Sequence, residues 1–312
     1  MLDTSLSTHT SQILRMALTR KRLKIATVES ALFNADVVFL LAALMGAEDL
    51  CQLSLTCKAL GGKRPSHGGL SLVEEAARRQ IDCASDDEKA ALPKFEGESW
   101  VELYRHFLML RSRLTFDQLI GSNLEHCEGD ASKVRGLGEG YGWAAATCSK
   151  HIMRAGKHYA TIPPRQSHPG SGGVIGLIRP IQGWDKKGLV NFNPALAGHR
   201  EALLQERTTR WGDSTIHYLI FHDGDELPGG AWTSDFIGNL SQLWNSQGRS
   251  DYQIRDPGTT GLLLDLESGT LTVYKDRLRI GVLTGGLSGV YSWMVSTNDQ
   301  RRFSIERGPV PS

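Results

Sequence analysis

The apolar residues of this chain change period once along its length. Up to about Leu114 they recur three and four apart, the spacing of one helix face. After "RSRLTFDQLIG" (Arg111 to Gly121) they gather in short runs of strand length. A helix face and a strand face need different periods, so the two patterns belong to different elements. The chain therefore reads as α + β in separate domains: a helical domain with a connecting helix over 30–113, then an antiparallel β-sandwich over 114–308. A flexible segment is expected at 1–29, and 312 residues give room for both domains.

The strand-like runs are "HYATI", "GVIGLI", "TIHYLIF", "GLLLDL", "TLTVY", "RIGVL", "YSWMVS" and "RRFSIE". No helix of useful length separates them, which argues against a parallel α/β sheet. The 34 glycines suit the many turns such a sandwich needs. In "GLLLDLESGTLTVYKDRLRIGVL" (Gly261 to Leu283), Leu262, Leu264 and Leu266 alternate on one strand. Glu267–Gly269 turns the chain, and Leu271 and Val273 share one face of the next strand. Asp276-Arg277 turns it again, and the same alternation buries Leu278, Ile280 and Val282 on a third. A slip of one residue would expose every leucine, so the pattern fixes the register of this meander.

In the helical part, Asp36 is positioned to cap "VVFLLAALM" (Val37 to Met45), which Gly46 stops. This helix is apolar almost all round, so its own domain, a partner, or both must cover it. A second helix opens with Glu48 and Asp49, carries Leu50, Leu53, Cys57 and Leu60, and ends at Gly61-Gly62. Ser71 and Glu74 have capping-box spacing before a third, whose face is Leu72, Val73, Ala76, Ala77 and Ile81. "CASDDEKAALPKFEGE" (Cys83 to Glu98) reads as a solvated connection. Ser99 and Glu102 then open a fourth helix carrying Trp100, Leu103, Tyr104, Phe107 and Leu108.

Composition removes several classes of partner. A net charge of +1 gives no bulk attraction for nucleic acid. The longest lipophilic run is nine residues, where a membrane span needs about 20, so no membrane partner is expected. Cys51, Cys57, Cys83, Cys127 and Cys148 form neither a C-x-x-C pair nor a disulfide framework, which suits a reducing compartment. With no signal-peptide pattern at the start, the location expected is intracellular, cytoplasmic or nuclear.

The search for chemistry yields little. "PGSGGVIG" (Pro169 to Gly176) has phosphate-loop glycines but leads into a strand, which offers no helix N-terminus to an anion. "HGGLS" (His67 to Ser71) has no accompanying G-x-S-x-G elbow, and Ser71 is explained as a cap. His217 and His222 lie five apart on an expected strand and so point to opposite faces, while Asp223-Gly224-Asp225 is turn chemistry. No catalytic residue, metal or cofactor is assigned. The tryptophans are more informative. Trp184, Trp211 and Trp232 lie beside turn residues, with Asp185 and Arg210 adjacent. Such residues either anchor an interface or pack over the ends of the sandwich, and the sequence leaves both open.

Two resemblances follow. "LFNADVVFLLAALMGAEDLCQLSLTCKAL" resembles the F-box in its opening Leu32, the acid at Asp36, the aliphatic helix and the closing Cys-Lys; Phe33 stands where that family usually has proline. "RAGKHYATI", "GGVIGLIRP" and above all "GLLLDLESGTLTVYKDRLRIGVL" resemble the SPRY domain, across most of residues 115–308. Asp276-Arg277 replaces that family's Asn-Gly, which predicts a different or longer connection there. The resemblances imply a non-enzymatic substrate receptor of a cullin-RING ubiquitin ligase. A Skp-type adaptor and its cullin complex would dock on Leu32, Val37, Leu40, Leu41, Leu44, Leu50, Leu53 and Lys58. A target protein would be held by sandwich loops carrying Arg154, Lys157, Trp184, Asp185, Arg210, Trp211 and Trp232. The alternatives are a SPRY scaffold without a ligase role, a lectin-like sandwich, and a hydrolase using His217, His222 or Asp223.

Overall fold

A computed structural model describes residues 34–56, 58–63, 65, 68–138, 142–163, 172–194, 197–211, 217–222, 230–233, 259–298 and 300–311, together with Thr19. The segment expected to be flexible, 1–29, lies outside these residues except for Thr19. The chain forms two compact units: residues 1–85 with 94–108, and residues 86–93 with 109–312. Among the described residues no helix is long and apolar enough to cross a membrane.

The helical unit is built on its caps. Helix α1 (Ala35–Leu44) is capped by Asn34, whose side chain accepts from the Asp36 backbone N–H at 2.8 Å. Asp36 is therefore not the cap; it sits in the first turn, where its carboxylate meets the positive end of the helix dipole. Val38 and Ala42 are the buried side of α1 and face α4 (Leu72–Asp82). The second expected helix is described on both sides of Cys57, as α2 (Ala47–Thr56) and α3 (Lys58–Gly61), with Cys57 itself outside the described residues. Ser71 caps α4 by accepting from the Glu74 N–H at 3.1 Å, and all five residues of its expected face are buried. Ser99 and Glu102 form a reciprocal capping box at the start of α6 (Trp100–Arg111): each side chain accepts from the other's backbone N–H, at 3.1 and 3.2 Å. Tyr104 on α6 donates its hydroxyl to the Ala42 carbonyl at 3.3 Å.

The second unit is an antiparallel sandwich. The expected solvated connection contains a short helix there, α5 (Asp86–Ala90), followed by buried Ala91 and Leu92. Among the described residues fourteen strands follow: β1 (Gln118–Ile120), β2 (Leu124–Cys127), β3 (Asp130–Gly136), β4 (Ala144–Thr147), β5 (Lys157–Ile162), β6 (Gly172–Ile178), β7 (His217–His222), β8 (Gly230–Thr233), β9 (Thr260–Asp265), β10 (Thr270–Lys275), β11 (Leu278–Thr284), β12 (Ser292–Thr297), β13 (Arg302–Ser304) and β14 (Glu306–Arg307). They form sheets in the orders β1-β4-β12-β6-β7-β8, β11-β10-β9-β5-β14 and β13-β3-β2. The core lies between the first two. Ala144, Ala146, Ile175, Leu177, Trp293 and Val295 meet Ala160, Ile162, Leu262, Leu264, Leu271 and Val273. Each set is every second residue of its strands, the pattern of two sheets with their inner faces together.

The meander departs from expectation at two places. Lys275 pairs directly with Leu278, so only Asp276 and Arg277 lie in the turn, and both have positive φ, 48° and 69°. This is a two-residue turn of type I′ character, not a longer connection. Asp276 can hold this backbone because it donates its N–H to Thr259 O at 2.9 Å and accepts from Thr259 N–H at 2.8 Å. The third strand also reverses the expected burial. Leu278 is 69% exposed and Val282 38%, while Leu283 packs on the core; the side chain of Ile280 is outside the description. Two register irregularities between β10 and β11 break the period of two, and Gly281 occupies the place opposite Val273.

Candidate functional site

At β4 and β12 the six-stranded sheet is buried on both faces. Ala145, Thr147, Met294 and Ser296 point away from the sandwich core, yet none exceeds 1% exposure. At the β1 edge the cover is the excursion that follows β6. The Gln118 amide oxygen accepts from Thr147 Oγ1 at 2.8 Å, and its nitrogen donates to Ile181 O at 2.8 Å and Asp185 Oδ1 at 3.2 Å. Trp184 begins a 3-10 turn bounded by Gly183 and Gly188, both at positive φ, and lies edge-on to Phe192 at 5.4 Å. Lys187 covers the Trp184 ring at 4.0 Å and pairs with Glu206 at 2.9 Å. Helix α7 (Ala197–Gln205) adds Leu203, and a 3-10 turn at Thr209–Trp211 adds Trp211, both buried.

The end of this excursion closes on the residues before β12. Val290 N–H donates to Arg210 O at 3.1 Å, and Arg179 Nη1 donates to Val290 O at 2.8 Å. Arg179 is fully buried with its guanidinium 3.9 Å from the Tyr291 ring. Burial lowers its pKa to about 10, which leaves it cationic at neutral pH. The result is a cleft of about 390 Å³. Ile152, Arg154, Ile181, Arg210, Trp211 and Val290 line it, with Glu206, Thr208 and Thr209.

Three of the residues expected to bind a partner thus come together, namely Arg154, Arg210 and Trp211. Trp184 and Trp211 are 2% and 3% exposed, so neither presents its indole as a surface anchor; both pack over the sandwich. Asp185 is exposed and receives the Gln118 amide. Lys157 lies apart, 3.8 Å from Asp265, beside a second cleft of about 290 Å³ that includes His151, His158 and Arg307. Trp232 falls in β8, with its side chain outside the described residues. Ile152, Ile181 and Val290 carry no signal in the sequence, because they are single apolar residues from separate segments brought together by the fold.

Among the described residues no histidine, cysteine or aspartate lines the cleft, and its carboxylate, Glu206, is engaged by Lys187. Elsewhere, burial lowers the pKa of His158 to about 4, and its Nε2 lies 2.8 Å from Ala155 O, so the ring is neutral at physiological pH. His217 and His222 are the two ends of β7, with side chains outside the description, as is Asp223. Among the described residues no group of three or more His, Cys, Asp or Glu could hold a metal ion.

The helical unit offers a different surface. Leu40 is 64% exposed, Leu44 86% and Leu55 75%. Val37, Leu41 and Leu53 are half-buried and Lys58 is exposed, while Leu32 lies outside the described residues. Leu50 is fully buried and is removed from any docking surface. Leu55 was not among the residues expected there.

No protein-family model and no curated protein matches the sequence. Among solved structures, the fold is similar to the SPRY domain of human HERC1, at 12% identity and a TM-score of 0.35, over 61% of this chain and 97% of that one. It is also similar to the PSpry domain of TRIM65, at 14% identity and a TM-score of 0.35, over 65% of this chain and 96% of that one.

Proposed function

We propose that the chain is a non-enzymatic protein-interaction adaptor of F-box/SPRY type, the substrate-recognition subunit of a cullin-RING ubiquitin ligase. Its helical unit docks on a Skp-type adaptor, and the cleft of its sandwich receives a segment of a target protein. The observation that carries this reading is the exposure of Leu40 and Leu44 on a helix whose other side, Val38 and Ala42, is already buried within the unit. Contiguous exposed leucines on a short helix mark a face for another protein.

The test is capture of the Skp-type adaptor by the intact chain, beside a variant carrying Leu40→Glu and Leu44→Glu. Both positions are exposed, so circular dichroism should show an unchanged fold. Capture by the intact chain and loss in the folded variant supports the ligase role. Capture by neither, or equally by both, removes it. Phe33, standing where the F-box family usually has proline, favours a second reading in the first of those cases: a SPRY-type scaffold with no ligase role.

A further inference from the structure

The hairpin end of β10 and β11 carries charge that the fold leaves unanswered. Lys275, Arg277 and Arg279 fall within five residues, and among the described residues no ion pair or side-chain hydrogen bond engages any of them. Against these three cations the turn has one carboxylate, Asp276, which accepts from the Thr259 N–H at 2.8 Å. Arg279 pairs across the hairpin with Tyr274, and Val282 with Thr272. Tyr274 and Thr272 alternate with Val273 and Leu271 of the core, so these pairs stand on the outer face of the five-stranded sheet. Tyr274 meets Tyr159 edge-on there at 5.6 Å, and both rings are buried, which gives the face a packed aromatic floor. Burial and Tyr274 raise the Tyr159 pKa while the Arg277 charge opposes them, so Arg277 lies within electrostatic reach of this face. The carboxylate in the row of Arg279 is Glu306, four strands away through Tyr274, Gly261 and Thr161. At the usual strand spacing that is about 19 Å, beyond a Debye length.

We infer that this face binds an acidic, extended segment of a partner protein, with an Asp or Glu carboxylate at Arg277 and Arg279 and an apolar side chain two residues away against Val282. Tyr274 and Thr272, which set the places of Arg279 and Val282, are two residues apart on β10, about 7 Å. Side chains two apart on an extended segment have that same separation and point the same way. A guanidinium takes a carboxylate in a forked pair, and Val282, 38% exposed, has apolar surface to cover. None of these residues lines the cleft of the sandwich, so the two surfaces are tested separately. Three cations are fewer than the roughly four to eight of a lipid-binding basic cluster, which weighs against a membrane. β11 is the last strand of its sheet, but its two register irregularities guard it against edge pairing with a second copy.

The test runs a displayed library of random peptides against the purified full chain and, in parallel, against a variant carrying Arg277→Glu and Arg279→Glu. Both positions are exposed, so circular dichroism should show an unchanged fold; Arg279→Ala, a milder change, is the second variant. Peptides enriched on the intact chain alone are remade with each Asp and Glu replaced by Asn or Gln, and their binding is followed by fluorescence anisotropy. These peptides should carry an apolar residue two positions from an Asp or Glu. Amide replacement and Arg279→Ala should each weaken them by about tenfold or more, the worth of one charge-assisted hydrogen bond. Val282→Ser should weaken them by about threefold through lost apolar contact. Enriched peptides that keep their affinity on amide replacement or on Arg279→Ala would overturn the acid preference. No peptide specific to the intact chain would overturn the surface as a protein site. Binding instead to vesicles of equimolar phosphatidylserine and phosphatidylcholine, lost in the double variant, would assign the face to a membrane and overturn the proposal.

Discussion

Gly289→Ala tests whether the cleft wall is held by direct backbone contact. Gly289 has φ +76°, and a Cβ there would stand 2.4 Å from the Trp211 carbonyl oxygen, 2.5 Å from its carbonyl carbon and 2.7 Å from Arg210 O. These are backbone atoms, so no change of rotamer relieves the clash. The segment ending at Trp211 must move, and the hydrogen bond from Val290 N–H to Arg210 O, 3.1 Å long, moves with it. Left-handed backbone costs an L residue about 1–2 kcal/mol. A net hydrogen bond adds about 1 kcal/mol, for a total of about 2–3 kcal/mol. Gly286 supplies the control, because it has φ +74° but nothing within 4 Å of an added Cβ. Gly286→Ala should therefore carry only the conformational part, about 1–2 kcal/mol. Urea unfolding of the full chain, followed by tryptophan fluorescence, measures both; Trp184, Trp211 and Trp293 are all buried in the sandwich unit. Gly289→Ala should be the more destabilising by about 1 kcal/mol or more, the worth of the displaced hydrogen bond. Equal losses would refute the contact.

Two further predictions concern each unit separately. Leu264→Ala, in the core, should cost about 2–5 kcal/mol, whereas Leu278→Ala, exposed on β11, should stay within about 0.5 kcal/mol; comparable losses in urea would restore the strict alternation that the structure denies. Glu75 has its pKa lowered from 4.5 to about 2, chiefly by the hydrogen bond from Arg78 and also by Arg79, against the opposing effect of burial. Because the folded pKa is the lower one, its stabilisation is complete above about pH 5 and is lost as pH falls toward about 2. Glu75→Gln should flatten the acid limb of a pH–stability profile in that window, and an unchanged limb would exclude this network as its source.

The helical unit was legible where local chemistry decides. Ser71 and Ser99 cap as their spacing with Glu74 and Glu102 requires, since a cap needs only its own first turn. The cap of α1 was less so, because Asn34 and Asp36 are both able and the backbone uses the earlier one. Strands β5 to β7 and β9 to β12 announce themselves by runs of large apolar residues. Those from β1 to β4 do not: β4 is three alanines and a threonine, and the buried side of β3 is Ser132, Val134 and Gly136. Their burial comes from neighbours across the sheet, not from their own side chains.

The sequence by itself determined the switch of period, the caps at Ser71 and Ser99, and the inner face of β9 and β10, because each is a relation between residues close along the chain. The tertiary structure alone decided which surfaces are free. Trp184 and Trp211 became wall rather than anchor because the excursion after β6 lies over the outer face of a sheet. Val282 falls opposite Thr272 beyond a register irregularity with β10, and Leu278 flanks the turn opposite Lys275; both are exposed. Arg154, Arg210 and Val290 meet because Arg210 O receives the N–H of Val290, 80 residues further along the chain by their numbers. Contacts over that distance are fixed by what the whole fold buries, and no local pattern encodes them.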